Sequence, residues 1–245
     1  MHITIFQKIE IILKIIFITV KKALLAICSS IVYRNSWSVK DGDKIVHSWA
    51  RDLLRVMRAK VDVFDPHSFE FSSKRPYIIM SNHLSHFDIP LIYAAFPGAS
   101  VRMIAKKELF RIPIFGWAMK SGGFVTIDRK NKRQALKDLA VAKEKMLAGI
   151  RVWIAPEGTR SRTGELGLFK KGGFKIAIDT EAIIIPVTII GSNKILPAKT
   201  LDFSLNENVK IYIGKEIDTK DYRSQDIKKL MTVVENAIFS GRNKT

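Results

Sequence analysis

Apolar residues in the first thirty positions recur at helical spacing. At about 100° per residue, Ile5, Phe6, Ile9, Ile12, Leu13, Ile16, Phe17, Val20, Leu24 and Ile27 share one broad face, while Gln7, Glu10, Lys14 and Lys21 cluster opposite. The pattern predicts an amphipathic helix with a basic polar side, suited to lying in a membrane interface. Docking of that stripe on the protein's own core is the alternative. A spanning helix wants about 20 mostly apolar residues, and Lys8, Glu10, Lys14, Lys21 and Lys22 break the stretch. No small-residue cleavage site of a signal peptide follows it. A second helix is expected from about Asp43 to Ala59, carrying Ile45, Trp49, Leu53, Val56 and Met57 at helical spacing, with Asp41 or Asp43 as its cap. Trp37 and Trp49 lie near this hairpin, and tryptophan favours the headgroup level of a bilayer.

From Val61 onward the pattern becomes short apolar runs alternating with longer helical stretches. Val61–Phe64, Tyr77–Met80, Val101–Ala105, Phe124–Ile127, Val152–Ala155, Ile183–Ile190 and Val209–Ile213 read as strands. Pro90–Ala95, Phe115–Lys120, Arg133–Ala148, Phe174–Asp179 and Ser224–Phe239 read as helices. This alternation predicts an α/β fold: a single domain with a largely parallel, helix-flanked sheet, preceded by the N-terminal amphipathic helical hairpin. The division expected is residues 1–60 for the helical membrane-associating segment and 61–245 for the α/β domain.

Composition adds two constraints. The 245 residues are 47% hydrophobic and 26% charged, which is ordinary for a globular chain, and the single Cys28 excludes an intrachain disulfide. The 41 Lys and Arg against 23 Asp and Glu leave a net charge of +18. Such a balance implies an anionic partner, whether nucleic acid, a membrane surface or an acidic substrate or protein.

Two polar clusters follow strands directly, the usual place for chemistry in an α/β fold. After Tyr77–Met80 comes Ser81-Asn82-His83-Leu84-Ser85-His86-Phe87-Asp88-Ile89-Pro90. If His83 sits on the turn and Asp88 in the next element's first turn, the carboxylate can hold one ring nitrogen and leave the other as a general base. Asp88 as a helix cap and His83 as a satisfied turn histidine are the structural alternatives. His83-x-x-His86-x-Asp88 also has a metal-ligand look, but no further cluster closes a shell. The second cluster is Ala155-Pro156-Glu157-Gly158-Thr159-Arg160-Ser161. Its Pro and Gly expose backbone amides, and Arg160 offers a planar fork suited to phosphate; a Glu157–Arg160 ion pair that braces the loop is the rival. Gly122-Gly123, Asp128-Arg129 and Lys106-Lys107 flank further strands.

Taken in order, these clusters resemble the glycerolipid acyltransferase family, most closely its bacterial 1-acyl-glycerol-3-phosphate (lysophosphatidic acid) branch. Asn82-His83 through Asp88 matches the family's His-x-x-x-x-Asp block. Gly123 to Arg129 matches the second block, with Thr126 where an aromatic is common. Pro156 to Ser161 matches the third, with Ala155 replacing Phe, and Ile184-Ile185-Pro186-Val187 matches the fourth. Phe169-Lys170-Lys171-Gly172 fills a familiar intervening stretch.

The resemblance implies transfer of an acyl chain from an acyl thioester, carried by acyl carrier protein or CoA, to lysophosphatidic acid. His83 would be the general base and Asp88 its orienting carboxylate. Arg160, Thr159, Gly158 and Glu157, with Arg129 and Lys106, would bind the acceptor phosphate. It implies no metal, no tightly bound cofactor, and a membrane-associated enzyme on the cytoplasmic face of a bacterial inner membrane. Glycerol-3-phosphate or another lysophospholipid is the alternative acceptor. A non-enzymatic nucleic-acid or anionic-membrane binding protein would explain the charge. It leaves the two strand-end clusters unexplained, and no basic stripe interleaved with aromatics argues for nucleic acid.

Overall fold

The computed structural model describes residues 3–33, 38–71, 75–127 and 132–244. Two helices lead, α1 (Ile5–Val32) and α2 (Val39–Val56). An alternating series follows: β1 (Lys60–Phe64), β2 (Tyr77–Ser81), α3 (Asp88–Ala95), β3 (Val101–Lys106), α4 (Phe115–Ser121), β4 (Val125–Ile127), α5 (Lys132–Leu147) and β5 (Arg151–Ile154). The chain continues through α6 (Lys171–Asp179), β6 (Ile183–Ile190), α7 (Ser192–Ile195), β7 (Asn208–Ile213), β8 (Ile217–Asp218) and α8 (Ile227–Gly241). The short α7 and β8, absent from the apolar pattern, are additions to the expected elements.

The strands form one sheet in the order β1-β7-β6-β2-β5-β3-β4, with β8 also on β6. Every pairing is parallel except β6 with β7 and β6 with β8. This is the largely parallel, helix-flanked sheet of an α/β domain. β6, Ile-Ile-Ile-Pro-Val-Thr-Ile-Ile, is buried for seven of its eight residues, as a strand covered on both faces requires. Pro186 interrupts this central strand where β6 changes partner: Ile183 and Ile184 pair with β8, and Val187 to Ile190 with β7. Its carbonyl accepts Gly214 N on that side, so the missing N–H falls in the gap between the two partners.

Alternate side chains of the strands feed two cores. Ile79, Trp153, Ile183, Ile185, Val187 and Ile189 pack under α1, α2 and α3. Ile78, Met80, Val152 and Ile184 pack under α5, α6 and α8, against Met146, Phe174 and Leu230.

The N-terminal hairpin corrects two expectations. Ser38, not Asp41 or Asp43, caps α2; it forms a capping box with Asp41 as the reciprocal partner. Asp43 is instead buried, where it accepts Arg102 at 2.6 Å and the Ser100 hydroxyl. Arg102 also donates to the Gly122 carbonyl and stacks over Phe124. This pair ties α2 to β3 and to the turn between α4 and β4. The second correction concerns α1, which has two apolar faces. Ile5, Phe6, Ile9, Leu13, Ile16, Phe17, Val20 and Leu24 are exposed, whereas Ile11, Ile12, Ile15 and Ile18 pack on the core. Ile12 thus leaves the expected outer stripe and Ile27 is half-buried, while the other eight residues of the stripe stay outside. Lys22 bonds Ser48 and Asp52, and Trp49 donates to Thr19, fixing α1 against α2. Among the described residues no helix is long and apolar enough to cross a membrane. Trp37 lies outside the described residues.

Candidate active site

The buried strand β2 delivers Ser81 and Asn82 to the carboxyl edge of the sheet, where the chain turns through His83–Phe87 before α3. The Asn82 amide extends the sheet by one rung: it donates to Ile189 O and accepts Ile189 N, both at 2.8 Å. His83 therefore emerges from a fixed strand end. Its Nδ1 lies 2.7 Å from Asp88 Oδ2. A carboxylate only accepts, so Nδ1 carries the hydrogen and Nε2 keeps the lone pair of the neutral ring. The Trp153 ring meets the imidazole edge-on at 5.7 Å, and Trp153 is itself held through Nε1 to Ser81 Oγ at 3.0 Å.

Asp88 is fully buried. Oδ2 accepts Leu84 N at 2.7 Å and Ser85 N at 2.9 Å besides His83, and Oδ1 accepts Ser192 Oγ at 2.5 Å. The carboxylate organises the turn as well as the ring. It does not cap α3 in the ordinary way, because Phe87 occupies the cap and the N–H groups it takes precede the helix. Sequence reasoning passed over Ser192, which reaches the site from 104 residues downstream.

The loop after β5 closes the turn from the other side. Glu157 Oε1 accepts His83 N at 2.8 Å, Oε2 accepts Gly167 N at 2.7 Å, and Ser161 N donates to His83 O at 2.7 Å. Glu157, expected at the acceptor phosphate, braces the turn: both of its oxygens are engaged by backbone N–H groups. Burial pushes its carboxyl above the ordinary value, with the two N–H donors pulling the other way.

The expected rival, a Glu157–Arg160 pair, is not formed. Arg160 is half-buried and has no acidic partner among the described residues. Burial pulls its guanidinium below the ordinary value and the Asp88 charge opposes this, but arginine stays a cation throughout. Burial first, then the neighbouring Arg160 and His83, lower the His86 ring below its ordinary value, with the Asp88 charge opposing.

Gly158 adopts φ +71°, and a Cβ there would come within 2.9 Å of Lys170 Nζ. The Lys170 amine, which the spacing argument passed over, thus lies across the Gly158 backbone. Thr159 is exposed beside it. Lys106 ends β3 at the same sheet edge, and Arg129 lies outside the described residues. Among the described residues no group of three or more His, Cys, Asp or Glu could hold a metal ion.

A family model described as Acyltransferase matches residues 61–190, from β1 to the end of β6. The chain belongs to the acyltransferase family. The match encloses both the His83–Asp88 turn and the Glu157–Ser161 loop. Among relatives, the chloroplastic 1-acyl-sn-glycerol-3-phosphate acyltransferase LPAT1 of Arabidopsis thaliana is 38% identical over 146 residues, 60% of this chain and 40% of that protein. The 1-acyl-sn-glycerol-3-phosphate acyltransferase of Saccharomyces cerevisiae is 37% identical over 131 residues, 52% of this chain and 43% of that one. The chain thus spans about two-fifths of these relatives' length. The crystal structure of PlsC, the 1-acyl-sn-glycerophosphate (LPA) acyltransferase of Thermotoga maritima, superposes with a TM-score of 0.71 at 25% identity, covering 97% of both chains. That coverage includes the N-terminal helices of this acyltransferase-family chain.

A separate groove of about 1070 Å³ runs along α2 and the end of α3. Lys40, Lys44, Arg51, Arg55, Arg58 and Arg151 line it, and its one acidic lining residue, Asp43, is engaged by Arg102.

Proposed function

We propose that this protein transfers an acyl chain from a thioester to the sn-2 hydroxyl of 1-acyl-glycerol-3-phosphate, forming phosphatidic acid. The observation that carries this reading is the His83–Asp88 pair, held on three sides, beside an Arg160 that has no acidic partner among the described residues. The names of the relatives, 1-acyl-sn-glycerol-3-phosphate acyltransferases, supply the acceptor.

In this mechanism Arg160 takes the acceptor phosphate through its planar fork, with the Gly158–Thr159 backbone beside it. His83 Nε2 removes the hydroxyl proton as the oxygen attacks the thioester carbonyl. Asp88 supports the imidazolium that forms. Collapse of the tetrahedral intermediate breaks the carbon–sulfur bond, and the imidazolium returns its proton to the departing thiolate. No covalent acyl-enzyme is needed: Ser85, the serine within the His83–Asp88 turn, is buried and donates to Leu196 O at 2.8 Å.

The acceptor is a lipid, so the exposed apolar stripe of α1 would seat the chain on a membrane surface. Exposed Leu109, Ile112 and Trp117, on and before α4, which packs against α1, add to that side. The basic groove along α2 suits an acidic donor, either acyl carrier protein or the nucleotide of CoA.

An acyl-transfer assay in mixed micelles tests the reading. Lysophosphatidate, glycerol-3-phosphate and lysophosphatidylcholine serve as acceptors, each with acyl-CoA and acyl carrier protein. Product is expected with lysophosphatidate and is abolished by His83→Ala in a folded protein; Asp88→Asn should lose most of it. Turnover only with another acceptor overturns the substrate, and full activity of His83→Ala overturns the base.

A further inference from the structure

We propose that Ser192 is a positioning residue for the dyad, its hydroxyl fixing the rotation of the Asp88 carboxylate that receives His83. This rests on the reading of His83 as base and Asp88 as its orienting group.

The terminal torsion of an aspartate is broad and roughly two-fold, so the side chain does not set its own carboxylate plane. The plane is set by donors, and here they are unevenly divided. Oδ2 takes His83 Nδ1, Leu84 N and Ser85 N, at 2.7, 2.7 and 2.9 Å. Oδ1 takes Ser192 Oγ, at 2.5 Å. Without that hydroxyl, a fully buried oxygen would lose its donor. Rotation of the carboxylate to share three crowded donors between two oxygens would then be favoured over leaving one oxygen unsatisfied. Any such rotation moves Oδ2 away from Nδ1, and the imidazole turns with it.

The main chain is built to deliver this hydroxyl. β6 ends at Ile190, and Gly191 then turns with φ +92°. A Cβ at Gly191 would stand 2.6 Å from Asn208 O, so both the torsion and the space call for glycine. Ser192 follows, with no solvent exposure. The same segment holds the catalytic turn at two further points: Ile189 exchanges both backbone bonds with Asn82, and Leu196 O accepts Ser85 Oγ. Those bonds fix the backbone of the turn. Ser192 differs in touching the carboxylate itself.

The test uses the full chain in mixed micelles with lysophosphatidate and acyl-CoA. Ser192→Ala is expected to lower kcat by about tenfold, the scale of one lost bond to a charged acceptor, with little change in KM for either substrate. Ser192→Thr and Ser192→Val form a second, isosteric pair differing in the hydroxyl; kcat should be higher for Thr than for Val even if both are less stable than the parent. In an Asp88→Asn background, Ser192→Ala should remove little further activity, because the two act as one unit. Unchanged kcat in Ser192→Ala, equal kcat in the Thr and Val variants, or a full additional loss on top of Asp88→Asn each overturns the proposal. An Asp88→Asn variant as active as the parent would overturn the dyad reading, and the role of Ser192 with it. An inactive Asp88→Asn beside a fully active Ser192→Ala overturns the role of Ser192 alone.

Discussion

Glu157 accepts the backbone N–H of His83 at 2.8 Å with one oxygen and that of Gly167 at 2.7 Å with the other. His83 is therefore held by its main chain as well as by its ring, and the main-chain hold comes from a loop 74 residues away. Ser161 N completes it on the His83 carbonyl. The third sequence block thus has two parts: Glu157 and Ser161 hold His83, which leaves Arg160 for the proposed acceptor phosphate.

Glu157→Gln should lower kcat by about tenfold or more while raising the KM for lysophosphatidate less than twofold. The amide keeps one acceptor but must turn its NH₂ toward the second backbone N–H, leaving a buried donor unpaired. Steady-state kinetics on the folded variant check this. A rise in KM with kcat intact would return Glu157 to the phosphate pocket.

Arg160→Ala should raise the apparent KM for lysophosphatidate by roughly tenfold or more and that for the acyl donor far less, since a charge-assisted contact to phosphate is lost. Arg160→Lys should recover only part, because an ammonium lacks the fork. Equal effects on both substrates would deny Arg160 its place at the acceptor.

The sheet and the His83–Asp88 contact are legible in the sequence because each depends on neighbours along the chain. β6 announces itself as an unbroken apolar run, and His83 and Asp88 lie within one turn of each other. The two faces of α1 were not separable, because Ile11, Ile15 and Ile18 are as apolar as Ile9, Ile16 and Phe17. A helical wheel cannot say which isoleucines meet protein. The task of Glu157 was hidden for another reason. Its partners are backbone N–H groups, which every residue but proline carries and no residue type reveals. Ser192 was hidden by distance, since one serine after a strand looks like any other until β6 is set beside β2.

Away from the site, Asp218 offers a pH test of the fold. Arg75 donates to both of its oxygens, at 2.7 and 2.6 Å, and holds its carboxyl at about 2, below the ordinary 3.8. Arg75 also donates to Glu181 O, so the pair ties β8 to the start of β6. The folded-state value is depressed, so the stabilisation is complete above pH 3.8 and is lost as pH falls toward 2. The carboxylate is half-exposed, and solvent screening limits its worth to about 1 kcal/mol. Asp218→Asn should therefore cost about that much in urea denaturation at pH 7 and nearly nothing at pH 2. A difference of the same size at both pH values would show that packing, not charge, carries the effect.

The last prediction separates the two faces of α1. Ile9, Ile16 and Phe17 are 48%, 52% and 67% exposed, whereas Ile11 is 6% exposed and Ile15 packs beside it on the core. An outward apolar stripe would bury itself between headgroups and acyl chains, and lysines that reach an anionic surface add about 1 kcal/mol each. Asp at positions 9, 16 and 17 together should leave the melting temperature within a few degrees of the parent, because those side chains touch little protein. The variant should no longer sediment with anionic vesicles and should lose activity on membrane-embedded lysophosphatidate, while a short-chain, water-soluble acceptor is still acylated. Ile11→Asp with Ile15→Asp should do the reverse and unfold the chain, since charges would enter the core that α1 shares with α2 and the sheet. Continued sedimentation of the triple variant in high salt would place membrane attachment elsewhere. Its unfolding would show that the stripe is covered by protein after all.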